Sequence, residues 1–314
     1  MVTSDDALLH PAQQQAARLA RRRSRRRRLL IPWLFAAPAL LLHICVIAIP
    51  SLFTYIVSFC FWNGIGSLHF VGFSNYQAMF SDTTFGAALW NNVKWMVMYL
   101  TIPIAMALGA AALIGSLRRS SVQLIYRSIF FLPATVAGVV VARIWSWIYH
   151  PFFGINEVLH GWGWHALALN WLSDPNIALY TVAVADNWGW WGFLVIIFLA
   201  ALQQVDHQLY ESARIDGANR WQLLWYITIP SLRPTLIFVA LTSVIFSFLV
   251  LELIYLMTSG GPGTATQVTS YWIYSQAIYN FSYGYASALA VTLTLMLLVI
   301  ISAVVFIQQR RWQE

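Results

Sequence analysis

The feature that most constrains this chain is a series of six long apolar runs, at about 32–61, 90–113, 124–149, 177–202, 235–257 and 286–307. A helix that crosses the hydrocarbon core of a bilayer needs about 20 mostly apolar residues, and every run reaches that length. Backbone N–H and C=O groups in lipid must be satisfied within the segment, so such runs fold as helices. The composition agrees: 60% of residues are hydrophobic and 9% charged, where a soluble domain carries about 25%. The expected fold is an all-α membrane protein with six transmembrane helices. Pro38, Pro50, Pro103 and Pro133 fall inside or at the ends of these runs, which is tolerated where neighbours re-satisfy the freed carbonyls. The first run is more than twice as long as the 7–15-residue apolar region of a signal peptide, so an uncleaved first span is expected.

Charge sets the orientation. Of the 18 basic residues, eight lie between Arg18 and Arg28. The second-to-third connection holds Arg118 and Arg119, with Arg127 just inside the third span. The fourth-to-fifth holds Arg214, Arg220 and Arg233, and the tail holds Arg310 and Arg311. The other three connections hold none. Basic loops stay on the cytoplasmic side, so both termini are expected there. Residues 1–28 read as a basic cytoplasmic tail and 29–314 as a six-helix domain, with a cytoplasmic loop at 203–234. A net charge of +7 concentrated this way argues against nucleic-acid binding. Trp145, Trp147, Tyr149, Trp162, Trp164, Trp171, Tyr271 and Trp272 cluster at the opposite span ends, as an interfacial belt does; a sugar-stacking surface is the competing reading.

Several chemistries are not expected. A phosphate-cradling loop ends in Gly-Lys-Ser/Thr, and the one lysine, Lys94, stands in Val-Lys-Trp. The histidines (His10, His43, His69, His150, His160, His165, His207) make no His-x-x-x-His pattern, so no metal site is expected. Cys45 and Cys60, fifteen residues apart on one helix, would be separated by about 22 Å of rise, out of disulfide reach. No Gly-x-Ser-x-Gly elbow is present. The chain is therefore expected to be neither an enzyme nor the holder of a cofactor, and any uphill transport must draw on a partner or an ion gradient.

The loop at 203–234 reads Leu209-Tyr-Glu-Ser-Ala-Arg-Ile-Asp-Gly-Ala218, then Asn219 to Pro230. Glu211 near its start favours the helix dipole, and Gly217 suits a helix end or tight turn. This stretch resembles the "EAA" loop of ATP-binding-cassette importer permeases, Glu-Ala-Ala-x-x-x-Asp-Gly-Ala followed by Ile-x-x-Pro. Glu211, Ala213, Asp216, Gly217, Ala218, Ile227 and Pro230 carry the match, with Ser212 in place of the first alanine. Beyond the loop, Val71-Gly-Phe-Ser-Asn-Tyr76, Tyr126-Arg-Ser-Ile-Phe-Phe-Leu-Pro133 and Thr258-Ser-Gly-Gly-Pro262 resemble the maltose-type sugar permease branch, without that protein's large periplasmic insertion. The resemblance implies an inner-membrane permease that moves a sugar or oligosaccharide. Its implied partners are a second homologous permease subunit, two ATP-binding-cassette ATPase subunits that bind ATP and Mg, and an extracytoplasmic solute-binding protein. It also implies that Glu211, Ser212, Ala213, Asp216, Gly217, Ala218 and Pro230 form the ATPase-coupling element.

Polar residues inside a bilayer are costly and usually functional. Asp186, Trp190 and Phe193 share one helix face at i, i+4 and i+7, and Ser243, Phe246, Ser247 and Val250 share another in the fifth span. A carboxylate beside aromatic rings offers a sugar both a hydroxyl acceptor and a stacking surface. The sugar contacts of the maltose-type family fall, by the resemblance, on Asp186, Gly189, Trp190, Phe193, Ser243, Phe246, Ser247 and Val250. The family member has amides at some of these positions, so a different substrate is implied. Helix packing through Ser and Gly is the competing reading. Glu252 lies on a different face from Phe246, with Arg143 and Lys94 as pairing cations. Two other functions compete: an ion-coupled secondary transporter with Asp186 or Glu252 as relay, and a permease for sn-glycerol 3-phosphate or another anion, which would want an arginine in the pathway.

Overall fold

The computed structural model describes residues 32–117 and 119–311. The basic tail expected at 1–28 and Arg118 of the second-to-third connection lie outside the described residues. The chain divides into two compact units, Met1–Ile56 and Val57–Glu314.

The first span is helix α1, Pro32–Val57. Its Ile44–Ala48 turn is a π-helix in which the Ile49 N–H bonds to the Ile44 carbonyl, and Pro50 follows. Proline has no N–H to donate, and its ring crowds the carbonyl four residues back. One wider turn absorbs both effects without ending the helix. The same device recurs at Leu224–Thr228, where the Ile229 N–H bonds to the Leu224 carbonyl ahead of Pro230.

The second unit opens with a hairpin, β1 (Cys60–Phe61) against β2 (His69–Phe70), antiparallel with Cys60 opposite Phe70. Cys60 is thus outside the first helix, not on it as the run length implied. Helices α2 (Ser74–Ser81) and α3 (Thr83–Gly115) follow. Then come α4 (Ser120–Phe131), a 3-10 turn at Leu132–Thr135, α5 (Gly138–Ile148) and α6 (Ile155–Gly161). After α7 (Ala178–Leu202), the loop holds α8 (His207–Ile215) and α9 (Arg220–Leu223). The chain ends with α10 (Arg233–Leu249), α11 (Glu252–Met257), α12 (Thr269–Ile278) and α13 (Tyr283–Arg311).

Two expected spans are interrupted. The third, read as one helix over 124–149, bends by 94° between Ser120–Thr135 and Gly138–Ile148. Pro133 closes the first half in a 3-10 turn, and Val136 and Ala137 are extended, so the helix restarts in a new direction. The fifth, read over 235–257, breaks at Val250, whose ψ of 118° ends α10 before Glu252 starts α11. The second span begins earlier than expected, at Thr83. There Asp82 caps the helix by accepting from the Thr84 N–H at 2.8 Å.

Helix α7 is the centre of the unit. Ala178, Val182, Ala183, Ala185, Val195 and Phe198 are fully buried on it, and its neighbours are α3, α4, α5, α10 and α11. Small residues let these backbones come close. A Cβ on Gly192 would lie 1.9 Å from the Phe130 carbonyl oxygen of α4, so only glycine fits there.

Candidate functional site

Asp186 stands about a third of the way along α7, half-buried in the bundle. Its carboxylate accepts a hydrogen bond from the Tyr99 hydroxyl of α3. Tyr99 stacks on Trp190, with ring centroids 5.8 Å apart and planes 22° apart. Trp190 in turn meets Phe193 at 5.6 Å and Phe246 of α10 at 5.1 Å. One carboxylate and four rings from three helices therefore form a continuous row. Phe193 and Phe246 are 38% and 49% exposed, so the row ends on an open surface of the chain. The Trp190 indole N–H is buried with no acceptor among the described residues, which leaves a donor at the middle of the row.

The other expected contact positions are less alike than their spacing implied. Ser243 and Ser247 are fully buried. The Ser247 hydroxyl donates to the Val244 carbonyl of its own helix at 2.7 Å, while the Ser243 hydroxyl has no partner among the described residues. Gly189 faces the 3-10 turn, where a Cβ would sit 3.4 Å from the Pro133 carbonyl oxygen. Val250 contributes its backbone at the break in the fifth span. The carbonyls freed there are answered by side chains: Ser247 O accepts from Asn92 Nδ2 at 2.8 Å, and Val250 O accepts from the Ser270 hydroxyl. Asn92 Oδ1 also accepts from the Thr269 N–H at 2.8 Å, so one buried amide joins α3 to both α10 and α12.

Among the described residues, Glu252 pairs with neither Arg143 nor Lys94. Its carboxylate lies against Gly138, where a Cβ would come within 2.3 Å of Oε2, and Lys94 donates to Asn91 Oδ1 at 3.3 Å. Sequence reasoning missed Tyr99, Asn91 and Asn92. Their signal was three hydrogen-bonding groups within one apolar run, the same signal that singled out Asp186.

The loop after α7 is built by local rules. Asp206 caps α8 through the Gln208 N–H at 2.9 Å. The helix ends in a Schellman turn: Ala218 N–H to Ala213 O at 2.9 Å and Gly217 N–H to Arg214 O at 3.1 Å, with Gly217 at φ +85°. Asn219 and Gln222 then form a reciprocal capping box at the start of α9. Glu211, Ser212 and Asp216 are exposed, and Pro230 sits just past the second π-turn. Ile215, Trp221, Trp225 and Tyr226 are each at least 60% exposed, an unusual set of large apolar side chains for a loop.

Comparison with known proteins fits this architecture. The sequence profile of the binding-protein-dependent transport system inner membrane component matches residues 102–313. A probable ABC transporter permease of Pyrococcus horikoshii is 36% identical over 257 residues, covering 80% of this chain and 87% of that protein. The lactose transport system permease LacF of Rhizobium radiobacter is 33% identical over 247 residues, covering 77% and 82%. A chain of a bacterial alginate ABC transporter, crystallised with an alginate pentasaccharide-bound periplasmic protein, shares the fold with a TM-score of 0.79 at 24% identity, covering 91% and 96%. This protein is a multi-pass translocation subunit rather than a catalytic enzyme, and it belongs to the binding-protein-dependent transport system inner membrane component family.

Proposed function

We propose that this chain is the permease subunit of an ATP-binding-cassette importer for a sugar or oligosaccharide, with the row from Asp186 to Phe246 as part of the solute site. The observation that carries the reading is the hydrogen-bonded carboxylate of Asp186 beside the ring faces of Tyr99, Trp190, Phe193 and Phe246, within the membrane-spanning bundle. A carboxylate accepts from hydroxyls, and the rings stack on the apolar face of a pyranose. A phosphorylated solute would be repelled by Asp186, and the described residues bring no arginine to the row. The relatives named for lactose, starch degradation products and arabinooligosaccharides support a carbohydrate substrate.

On this reading the 203–234 loop, with Glu211, Ser212, Ala213, Asp216, Gly217, Ala218 and Pro230, is the coupling element. Its exposed Ile215, Trp221, Trp225 and Tyr226 support burial against another chain. The ATPase pair, which supplies ATP and Mg, docks there; a second permease subunit completes the pathway, and a solute-binding protein delivers the sugar from the opposite side. Both termini and residues 1–28 are cytoplasmic, following the distribution of basic residues.

The test is uptake in the reconstituted assembly at saturating binding protein. Asp186→Ala and Trp190→Ala are each expected to abolish uptake while assembly and basal ATP hydrolysis persist. Wild-type uptake by both variants would reduce the row to packing.

A further inference from the structure

The histidines that looked scattered along the sequence are not all separate in space. His160, in the last turn of α6, and His165, which starts the 3-10 turn at His165–Leu167, bring their Nδ1 atoms to 2.7 Å, with ring centroids 5.0 Å apart. Both imidazoles are exposed.

The backbone enforces this meeting. Helix α6 ends in a second Schellman turn, with Trp164 N–H to Leu159 O at 2.8 Å and Gly163 N–H to His160 O at 3.0 Å, and Gly163 at φ +78°. Leu159 is buried and anchors the helix end. The turn sends the chain back over its own last turn, so position 165 lands beside position 160. The wider loop is fixed at both ends by buried Asn156. Its Nδ2 donates to Pro151 O at 3.1 Å and Leu169 O at 3.0 Å, and its Oδ1 accepts from Trp171 Nε1 at 2.7 Å.

We infer that His160 and His165 form a two-imidazole site for a borderline divalent transition ion such as Zn2+, Cu2+ or Ni2+. Two Nδ1 atoms held at hydrogen-bond distance are close to chelating geometry. A tetrahedral ion with bonds of about 2.0 Å needs its nitrogens about 3.3 Å apart, and two exposed rings open by that half-ångström through side-chain rotation alone. The proton that bridges the pair in the ion-free state moves to Nε2 of its ring, leaving both Nδ1 atoms as ligands. Among the described residues no third His, Cys, Asp or Glu joins them, so water fills the remaining positions. Imidazole donors select transition ions over Ca2+ and Mg2+, which require oxygen.

The test uses the full-length chain in lipid nanodiscs, purified without a polyhistidine tag. Calorimetric titration with ZnCl2 is expected to show an ion bound by the wild type and lost in both His160→Ala and His165→Ala. CaCl2 is expected to give no binding at the site. Copper titration followed by electron paramagnetic resonance is expected to show two nitrogen ligands in the wild type and one in each variant. Gly163→Ala keeps both imidazoles but strains the turn, and is expected to weaken binding. Zinc isotherms from His160→Ala and His165→Ala that match the wild type, or no zinc binding by the wild type, would overturn the site. Unaltered binding by Gly163→Ala would overturn the role given to the turn.

Discussion

The loop at 203–234 and the aromatic row on α7 lie next to each other along the chain and are held by opposite means. The hydrogen bonds that cap and end α8 and α9 span five residues or fewer: the Asp206 cap, the Gly217 turn, and the Asn219–Gln222 box. The longer bond between the Tyr210 and Thr228 hydroxyls, 3.0 Å across 18 residues, still stays within the loop. The row depends on partners far away in sequence. Tyr99 reaches Asp186 across 87 residues, and Asn92 reaches Ser247 across 155. The two loop helices are closed by local bonds and leave Ile215, Trp221, Trp225 and Tyr226 outside, while Leu232 joins the helix core. The row exists only when α3, α7 and α10 have assembled. A substitution in the first region should therefore change what the protein does to its neighbours, and one at the close helix contacts that bring the second together, such as Gly192 against Phe130, should change whether the bundle forms.

That contrast is open to test, starting with the largest expected effect. Gly192→Leu drives a side chain into the Phe130 carbonyl of α4, which cannot move aside because it is backbone. A loss of about 3 kcal/mol is expected, read as a fall in the melting temperature of the detergent-purified protein. An unchanged melt would show that α4 and α7 do not pack this closely.

Asp82 is the next largest. Its carboxylate accepts from Trp272 Nε1 at 2.8 Å and Tyr285 OH at 2.6 Å as well as from the Thr84 amide, tying the start of α3 to α12 and α13. Asp82→Ala is expected to cost about 2 kcal/mol, near the middle of the range for a charged acceptor because the site is half-exposed. Burial pushes this carboxyl up. The hydrogen bonds from Tyr285, Trp272 and the Phe85 and Thr84 amides outweigh that effect and hold it below the ordinary carboxylate value. A depressed value means that the stabilisation is full above the unfolded pKa and fades as pH falls through the folded one. The wild-type margin over Asp82→Ala should thus be constant from about pH 5 to 8 and shrink only in stronger acid.

The loop substitutions should be smaller in stability and specific in effect. A Cβ at Gly217 meets nothing within 4 Å, so Gly217→Val carries only the backbone cost of its left-handed conformation, about 1–2 kcal/mol. On the coupling assignment, it is expected to separate ATP hydrolysis from uptake in the reconstituted assembly with the bundle intact. Normal uptake together with normal stimulated hydrolysis would count against that assignment. Asn219→Ala removes one cap, about 1 kcal/mol, and should leave the bundle's melting temperature within a degree or two (about 2 °C). A large drop would mean that the loop is not a local structure after all.

The same division explains what could be read without coordinates. The helical type of the spans follows from run length, and the helix end at Gly217 follows from composition, because each is a local property. The number follows less directly: among the described residues five helices are long and apolar enough to cross, and the bent pair makes a sixth only if counted as one. Asp186, Trp190 and Phe193 were visible as one face for the same reason. Tyr99 was not assigned to that face, since nothing in a single run says which helix will lie opposite. The bend after Pro133 and the break at Val250 escaped because the surrounding residues are as apolar as any span. Hydropathy records burial in lipid and is silent about direction. The His160–His165 pair escaped because a search for fixed spacings along one helix does not see a chain that doubles back.

The break at Val250 also bears on how force travels. A continuous membrane helix is a stiff rod, and a twist at one end arrives undiminished at the other. Here the rod is two pieces with a joint, and the joint's freed carbonyls are held by the side chains of Asn92 and Ser270 rather than by the helix itself. The segment that leaves the loop at Arg233 ends as a helix at Leu249, and no helical hydrogen-bond ladder carries it rigidly past Val250. Phe246 belongs to the piece on the loop side of that joint, and Glu252–Met257, on the other side, is packed on α5 and α7.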